Sequence, residues 1–324
     1  MMLISLTTAK AALGALVGGL VTLRASTDRQ EVQTHPELTR LSQRERKLTS
    51  PSPQVDNCSR KAAVVVNTVS NQTIGDRTYK VFIPPSYSNT RATPVILSYH
   101  GGTKTADDQL ALDLLTTAFF NTEYIVVYPY GVNKTWQGVP HVTTDDLAFT
   151  AAILDQLQHD YCVDASRIFA TGKSQGGGFV GQHLACDPTL SQRIAAFAPV
   201  SGAFYIDDEE CSSPSTIEIK PCSPGRDDVP MLEFHGGADD TIPYFGGPRR
   251  GACLPGIPHW IEAWAGRDGL DGGMNKSWAL TGEATVYTFG DRDGDGDGDG
   301  EEGGLGWWRM CMMGMRWDMT GRRR

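Results

Sequence analysis

Between residues 58 and 290, short apolar runs bounded by glycine and proline alternate with longer stretches of helical periodicity. Residues 94–99 and 124–129 are almost continuously apolar, as strands buried on both faces of a sheet are. Residues 145–159 place apolar side chains on one face at the spacing of an α-helix. The alternation predicts an α/β fold in which helices flank a mostly parallel central sheet.

Other strands are predicted where β-branched and aromatic residues run between turn residues. Residues 77–85 alternate polar and apolar side chains, which predicts a strand at the outside of the sheet. The remaining predicted strands are residues 167–171, 194–201, 231–235 and 286–289. The strand at 286–289 is the last one that the pattern predicts.

Both ends of the chain differ in character from this central region. Residues 1–25 contain a Gly- and Ala-rich apolar run after Lys10 and are interpreted as a signal peptide; a plain helix or a mistranslated leader are the alternatives. Residues 26–57 are polar and charged without periodicity, which is typical of a disordered leader. Residues 291–324 lack a folding pattern and are interpreted as a low-complexity, aberrant tail. The domain at 58–290 is then C-terminally incomplete, through a frameshift or an unspliced intron.

The tail begins with an Asp-Gly repeat that satisfies the spacing of an EF-hand calcium loop, from Asp291 to Glu302. Any such repeat would satisfy it, and no helical pattern flanks the segment. No metal site is therefore predicted.

The composition of the 324-residue chain favours export. Its net charge of −9 argues against a nucleic-acid partner, which calls for a basic face. Six of the seven cysteines lie in the central region, where they could form three disulfides in fifteen possible pairings. Cys311, in the tail, is left over from this even set. Asn-x-Ser/Thr sequons begin at Asn57, Asn71, Asn133 and Asn275. These features predict a secreted, extracellular protein, and the first apolar run is too short to span a membrane.

A glycine–serine–glycine pattern lies between a predicted strand and a glycine-rich helix start. Gly172, Ser174 and Gly176 follow the strand at 167–171 directly, which is the arrangement of a nucleophile elbow. In that turn the serine hydroxyl is exposed above the sheet, at the N-terminus of the next helix. Ser174 is therefore the predicted nucleophile of an acyl-transfer reaction, and the alternative is a structural turn.

Acyl transfer also needs hydrogen-bond donors for the negative oxygen of the tetrahedral intermediate. The elbow supplies the backbone N–H of Gln175, and the glycine loop after the strand at 94–99 supplies that of Gly102 or Thr103. His100 in the same loop is interpreted as a packed histidine rather than a catalytic one.

The acidic residue of such a site follows a late strand of the sheet. Asp239, shortly after the strand at 231–235, is the predicted acid, with Asp240 as a cap of the following turn. His235, at the end of that strand, is interpreted as a hydrogen-bonded structural residue.

With these elements placed, the sequence resembles fungal feruloyl esterases of the C and D kind and, more distantly, polyhydroxybutyrate depolymerases and acetylxylan esterases. The resemblance extends from Cys58 to Phe289. It rests on Leu-Ser-Tyr-His-Gly-Gly at 97–102, Thr-Trp-Gln-Gly at 135–138, Thr-Gly-Lys-Ser-Gln-Gly-Gly-Gly-Phe-Val-Gly at 171–181, Ala-Pro-Val-Ser-Gly-Ala at 198–203, Phe-His-Gly-Gly-Ala-Asp at 234–239 and Ile-Pro-His-Trp at 257–260. It implies a secreted α/β-hydrolase that releases ferulic acid esterified to arabinose on xylan, with feruloylated plant cell-wall polysaccharide as its partner and no cofactor.

The resemblance also gives roles to Trp136, Asp145 and Trp260, which would line a substrate cleft and favour a flat aromatic acyl group. The alternative is that Trp136 packs in the core and Asp145 caps the helix that begins there. Acetylxylan or polyester hydrolysis on the same fold is the alternative substrate class.

One part of the expected site has no match. The family carries its catalytic histidine in a Gly-His-Asp-Trp-Pro string after the last strand, here just beyond Phe289, and this chain has no such string. The last histidine is His259. Because the family has the Ile-Pro-His-Trp string as well as its catalytic histidine, His259 is only a weak base candidate. We therefore expect near inactivity, and the alternative function is that of a non-catalytic, carbohydrate-binding pseudo-esterase.

Overall fold

A computed structural model of the chain describes Cys58 and residues 64–270, 274–281, 284–289 and 310–315. The predicted signal peptide, all of the predicted leader and most of the predicted tail lie outside these residues. The described residues form a ten-stranded sheet, a separate two-stranded hairpin and several helices.

The elements are numbered in chain order. The strands are β1 (Thr68–Ile74), β2 (Arg77–Ile83), β3 (Thr93–Tyr99), β4 (Ile125–Pro129), β5 (Val163–Lys173), β6 (Ala196–Val200), β7 (Leu232–Gly236), β8 (Gly247–Arg249), β9 (Ala252–Leu254), β10 (Met274–Thr281), β11 (Ala284–Phe289) and β12 (Met310–Met315). The helices are α1 (Ala106–Asp113), α2 (Asp146–Asp160), α3 (Gln175–Gly178), α4 (Leu190–Arg193) and α5 (Ile257–Arg267). A 3-10 turn covers Val132–Lys134, and α3 continues as a π-helix over Phe179–Leu184.

The strand order across the large sheet is β1-β2-β4-β3-β5-β6-β7-β12-β11-β10, and β8 pairs with β9 in the hairpin. The pairs from β4 through β3, β5, β6 and β7 to β12 are parallel. The pairs at both margins are antiparallel. The predicted α/β fold with a mostly parallel sheet is therefore confirmed.

The middle of the sheet is its most buried part. Every residue of β3 and β4 is buried, as the apolar runs in those segments predict. The predicted helix at 145–159 is α2, whose buried side includes Phe149, Ile153 and Leu157. Within the described ranges, no helix is long and apolar enough to cross a membrane.

The strand predicted at the outside of the sheet, β2, has a neighbour on its outer side. β1 pairs with it in antiparallel register from Thr68↔Ile83 to Ile74↔Arg77. All seven residues of β1 are exposed or partly exposed, so its sequence carries no apolar alternation from which a strand could be predicted. β2 is thus an outer strand, as predicted, but the edge of the sheet is formed by β1.

A strand within the predicted tail joins the central sheet. β12 lies between β7 and β11; it pairs in parallel with β7, from Cys311↔Leu232 to Met315↔Gly236, and antiparallel with β11. The expectation that β11 is the last strand is therefore wrong. A segment rich in methionine has neither alternation nor β-branched residues, and backbone pairing on both sides does not require them. That residues 291–324 replace an authentic end stays a prediction.

The six central cysteines form three disulfides. They are Cys58–Cys162, Cys186–Cys222 and Cys211–Cys253. Cys222 and Cys211 lie in the long connection between β6 and β7. The Cys186–Cys222 bond attaches this connection to the segment after the elbow, and the Cys211–Cys253 bond attaches it to β9. Cross-links of this kind stabilise mainly by restricting the unfolded chain.

Asp113, the last residue of α1, joins that helix to the sheet. Its carboxylate accepts hydrogen bonds from Ser98 Oγ on β3 at 2.7 Å, from Tyr128 Oη on β4 at 2.9 Å and from the Leu115 N–H at 3.0 Å. Burial raises the pKa of Asp113 to about 6, although these hydrogen bonds act in the opposite direction. The site therefore favours the protonated carboxyl more than water does.

We predict that Asp113 makes the stability of the fold depend on pH above about 4. The folded state then holds more protons than the unfolded state, so the free energy of unfolding falls as the pH rises through the pKa of the folded state. Between pH 4 and pH 7, the free energy of unfolding of the unsubstituted chain should fall by about 2 kcal/mol more than that of Asp113→Asn. Urea unfolding of both proteins measures this difference, and an equal pH dependence of the two would contradict it.

Candidate active site

Ser174 stands between the end of β5 and the start of α3 with its backbone at φ 55° and ψ −115°. A positive φ is unfavourable for serine, so the surrounding structure must hold it. The Ser174 N–H donates to the Val200 carbonyl at 2.9 Å, and the Ser174 carbonyl accepts from Gly178 N and Ala203 N, each at 2.9 Å. This is the strained strand–turn–helix geometry of a nucleophile elbow.

The glycines on either side of Ser174 allow the backbones to approach this closely. A Cβ atom on Gly176 would lie 2.5 Å from the Tyr99 carbonyl oxygen and 2.6 Å from that of His100. A Cβ atom on Gly172 would lie 2.7 Å from the Gly176 carbonyl carbon. Because all these contacts are with backbone atoms, no rotamer change could relieve them.

The glycine loop after β3 lies against the elbow, as predicted for an oxyanion hole. A Cβ atom on Gly101 would lie 3.6 Å from the Ser174 Cβ, and one on Gly102 would overlap the Gln175 side chain. The N–H of Thr103 donates to the Lys134 carbonyl at 2.9 Å and is therefore occupied. In the described part of the chain, the N–H groups of Gly102 and Gln175 have no acceptor. Of the two alternatives in this loop, the geometry favours Gly102 over Thr103.

The side chain of Gln175 lies against Gly102 and is fixed by a hydrogen bond. Its Oε1 atom accepts a hydrogen bond from Thr135 Oγ1 at 3.0 Å, and Thr135 directly follows the 3-10 turn. The loop after β4 is thus attached to the first residue of α3. This attachment keeps the amide side chain fixed while the backbone N–H of Gln175 stays available.

His100 is the packed loop histidine that the sequence predicts. Its side chain is buried, its Nε2 atom accepts from the Gly131 N–H at 2.9 Å, and its Nδ1 atom lies 2.8 Å from the Gly101 carbonyl oxygen. These partners require a neutral ring with the proton on Nδ1. Burial lowers the pKa of His100, which stabilises the same neutral form. Both ring nitrogens are therefore committed to the backbone.

Asp239 has one carboxylate oxygen in use and one free. Its Oδ1 atom accepts the backbone N–H groups of Thr241 and Ile242, each at 2.9 Å. Among the described residues, none donates to Oδ2. Asp240 is exposed, and its side chain interacts only with Thr241 Oγ1, at 3.4 Å. Of the two neighbouring aspartates, Asp239 is the one held in a fixed orientation with an oxygen left for a base.

No histidine of the described part of the chain is hydrogen-bonded to Ser174 or Asp239. The ring of His259 lies with Nε2 2.7 Å from the Ile217 carbonyl oxygen, so that nitrogen donates to the backbone. His183 is next to Gly138, and burial lowers its pKa to about 4. The structure thus brings together the predicted nucleophile loop and oxyanion loop, but no imidazole of the described residues is hydrogen-bonded to Ser174 or Asp239.

The topology corrects the expected location of the base. β11 runs antiparallel to β12, and β12 runs parallel to β7, which leads to Asp239. The carboxyl end of β11, at Phe289, therefore faces the edge of the sheet opposite to Asp239. The position that follows a strand on the correct edge comes after Met315, where the sequence continues with Arg316, Trp317 and Asp318.

The two tryptophans expected to line a substrate cleft are both buried. Trp136 is fully buried, donates from Nε1 to the His100 carbonyl at 2.7 Å and stacks on Phe179. Trp260 is 1% exposed and stacks on Phe204 with ring centroids 3.6 Å apart. The Trp136 ring presents no face to solvent, so its expected place in a cleft is corrected to one in the core. Trp260 borders a cavity of about 270 Å³ that Gln182 and His183 also line, and its part in binding a substrate stays a prediction.

Asp145 caps α2, which is the alternative role that the sequence allows: its carboxylate accepts the Ala148 N–H at 2.9 Å, and its side chain is exposed. Its place in a substrate cleft stays a prediction. Asp146, for which no separate role is predicted from the sequence, is buried and pairs with Arg77 at 2.7 Å. Asp146 also accepts the Gln137 N–H at 2.7 Å and Thr144 Oγ1 at 2.8 Å. It thus fixes the loop that carries Thr135 and Trp136 beneath the oxyanion loop.

The sheet order and the turn at Ser174 are those of the α/β-hydrolase fold. Acetyl xylan esterase from Aspergillus awamori has the same fold, with a TM-score of 0.52 at 16% identity over 76% of this chain and 92% of that one. No known protein-family model matches the chain.

Fungal feruloyl esterases are among the sequence relatives of the chain. Probable feruloyl esterase C of Aspergillus niger is 28% identical over 179 residues, which are 54% of this chain and 59% of that protein. Feruloyl esterase C of Emericella nidulans is 30% identical over the same shares of the two chains. Feruloyl esterase B of Piromyces equi is 28% identical over 59% of this chain and 35% of that protein. The chain is a distant homologue of these esterases and spans about a third to three-fifths of their length.

We predict that the two neighbouring aspartates differ strongly in their contribution to stability. Asp146→Ala leaves the Arg77 guanidinium without its partner and two donors without an acceptor, and should cost about 3–5 kcal/mol. Asp145→Ala removes only a helix cap and should cost about 1 kcal/mol. Chemical unfolding of both variants tests the difference, and equal losses would contradict the assignment of Asp146.

Proposed function

We propose that this chain derives from a secreted serine carboxylesterase that releases ferulic acid from feruloylated arabinoxylan in plant cell walls. The observation that carries the proposal is the elbow: Ser174 held at φ 55° beside two unoccupied backbone N–H groups, those of Gly102 and Gln175. The homology to feruloyl esterases supports the ferulate ester as substrate. Three disulfides support a secretory route, since such bonds persist in oxidising compartments.

The proposed reaction has two acyl-transfer steps. The hydroxyl oxygen of Ser174 attacks the ester carbonyl carbon, and the resulting oxyanion accepts hydrogen bonds from the Gly102 and Gln175 N–H groups. The arabinose hydroxyl leaves with a proton, and the feruloyl group remains as an ester on Ser174. Water then attacks this acyl-enzyme and releases ferulic acid. Asp239 orients the base that moves the protons, through its free Oδ2 atom.

That base is the part of the reaction for which the described residues of this chain offer no side chain. A serine hydroxyl is a poor nucleophile until a neighbouring base accepts its proton. Loss of one triad member leaves the catalysis that the oxyanion hole and substrate binding supply. We therefore expect hydrolysis of methyl ferulate to be about 10⁴- to 10⁶-fold slower than in an enzyme with a complete triad.

Exogenous imidazole provides a test that uses the unmodified chain. Imidazole can occupy the space beside Asp239 Oδ2 and accept the Ser174 proton, and it should raise the rate of ferulate release about 10²-fold, at the lower end of what a general base contributes. Ser174→Ala should abolish this gain. A rate gain that is equal in Ser174→Ala, or that is lost in His259→Ala, would contradict the proposal.

Restoring a histidine tests the corrected topology. One of Arg316→His, Trp317→His and Asp318→His should restore hydrolysis of methyl ferulate, because the end of β12 lies beside the end of β7. Gly290→His, directly after β11, is the matched control and should leave the rate unchanged because that end faces the opposite edge. Recovery in Gly290→His alone would show that the base belongs after β11.

The second candidate function is that of a non-catalytic carbohydrate-binding pseudo-esterase. It is favoured because no described residue supplies a base beside Ser174 and Asp239. It predicts binding to feruloylated arabinoxylan that is unchanged in Ser174→Ala, with no ferulate release in any histidine variant. Isothermal titration with feruloylated and de-esterified arabinoxylan separates the two functions. Comparing methyl ferulate with acetylated xylan in the restored variant decides between feruloyl and acetyl specificity.

A further inference from the structure

Two ionisable side chains on β7 are completely buried and take no part in the proposed reaction. Glu233 and His235 are both inaccessible to solvent, with Glu233 Oε1 2.9 Å from His235 Nδ1. The other ring nitrogen, His235 Nε2, lies 2.7 Å from the carbonyl oxygen of Ile242. The N–H of Ile242 in turn donates to Asp239 Oδ1 at 2.9 Å. On this side the pair is thus connected to the carboxylate of the candidate acid.

On the other side the pair reaches the elbow. Glu233 Oε1 also accepts the Gly202 N–H at 3.0 Å. The next residue, Ala203, donates its N–H to the Ser174 carbonyl at 2.9 Å. We call this path from Asp239 through Ile242, His235, Glu233 and the 202–203 backbone to Ser174 the β7 link. It joins the two candidate triad residues through hydrogen bonds and two short backbone segments.

The partners determine where the protons lie in the pair. A carbonyl oxygen only accepts, so His235 Nε2 carries a hydrogen. The Gly202 N–H donates to Glu233 Oε1, and one further proton lies between Glu233 Oε1 and His235 Nδ1. Burial acts to lower the pKa of His235, but the hydrogen bond and the charge of Glu233 outweigh it, so that the pKa is raised. The pair therefore keeps its shared proton and its geometry.

Stability alone does not account for such a pair. Replacing a buried ionic pair by apolar residues is often neutral or stabilising. Moreover, Glu233 Oε2 is buried without a partner among the described residues, which adds a cost. The pair connects the acid loop and the elbow through groups that apolar side chains could not replace.

We propose that Glu233 and His235 are positioning residues that set the place of the Asp239 carboxylate relative to Ser174 through the β7 link. The proposal rests on the proposed function of these two residues. Neither side chain touches the reacting atoms, so their effect is on geometry. A small misplacement of groups in an active site can lower the rate up to about a hundredfold.

Glu233→Gln is the most conservative test. With Nε2–H of His235 committed to Ile242, a neutral ring presents a lone pair at Nδ1, and glutamine can satisfy either Nδ1 or Gly202 but not both. His235→Gln can keep the donor to Ile242 and loses the contact with Glu233. Asp113→Asn is the matched control, because it changes a buried carboxylate that is not part of the β7 link.

In the imidazole-rescued chain, Glu233→Gln and His235→Gln should lower kcat for methyl ferulate about ten- to a hundredfold with little change in KM. Asp113→Asn should change neither. Hydrogen exchange is measured alongside; the amides of Gly202 and Ile242 should exchange about tenfold faster in both β7 variants, with the amides of β3 and β4 unchanged.

An unchanged kcat in folded Glu233→Gln, or unchanged exchange at Gly202 and Ile242, overturns the proposal. If the amides of all strands exchange faster in Glu233→Gln, the pair has a purely structural role, and this result also overturns the proposal. If imidazole produces no activity in the parent chain, the proposed function fails. Exchange at the two amides then decides whether the β7 link holds the acid loop to the elbow.

Discussion

The site depends on one backbone conformation, the left-handed turn at Ser174. Three backbone hydrogen bonds, to Val200, Gly178 and Ala203, hold this residue against its own conformational preference. The flanking glycines are required because a Cβ atom on Gly176 would lie within 2.6 Å of carbonyl oxygens of β3 and its loop, and one on Gly172 would lie 2.7 Å from the carbonyl group of Gly176. The position of the hydroxyl thus follows from backbone packing, and the packing follows from the order of the parallel strands.

The sequence predicted those parts of the molecule that backbone geometry restricts most. Buried strands such as β3, the elbow and the aspartate loop require particular residue types, so they are visible in a single sequence. β1 and β12 were missed because strands held by pairing need no apolar alternation. His235 was interpreted correctly as a hydrogen-bonded structural residue, but its partner Glu233 was not identified. The role of Asp146 could not be inferred because its partner Arg77 lies 69 residues away in the chain.

Trp136 shows how a resemblance in sequence can be correct while the role inferred from it is not. Its ring is buried in the core and its Nε1 atom donates to the carbonyl of His100, so the residue serves packing. The location of the base was misjudged because alternation identifies strands without their direction. β11 reads like any other strand, and only its antiparallel pairing shows that its end faces away from Asp239.

The place of β12 also has a consequence for solubility. This strand separates β7 from β11, and its backbone occupies hydrogen-bonding groups on both neighbours. If it were removed, β7 and the β10–β11 hairpin would each present an unpaired edge, and unpaired edges are sites of intermolecular strand addition. β12 can therefore act as a spacer whose backbone keeps the edges of β7 and β11 from pairing with strands of other molecules.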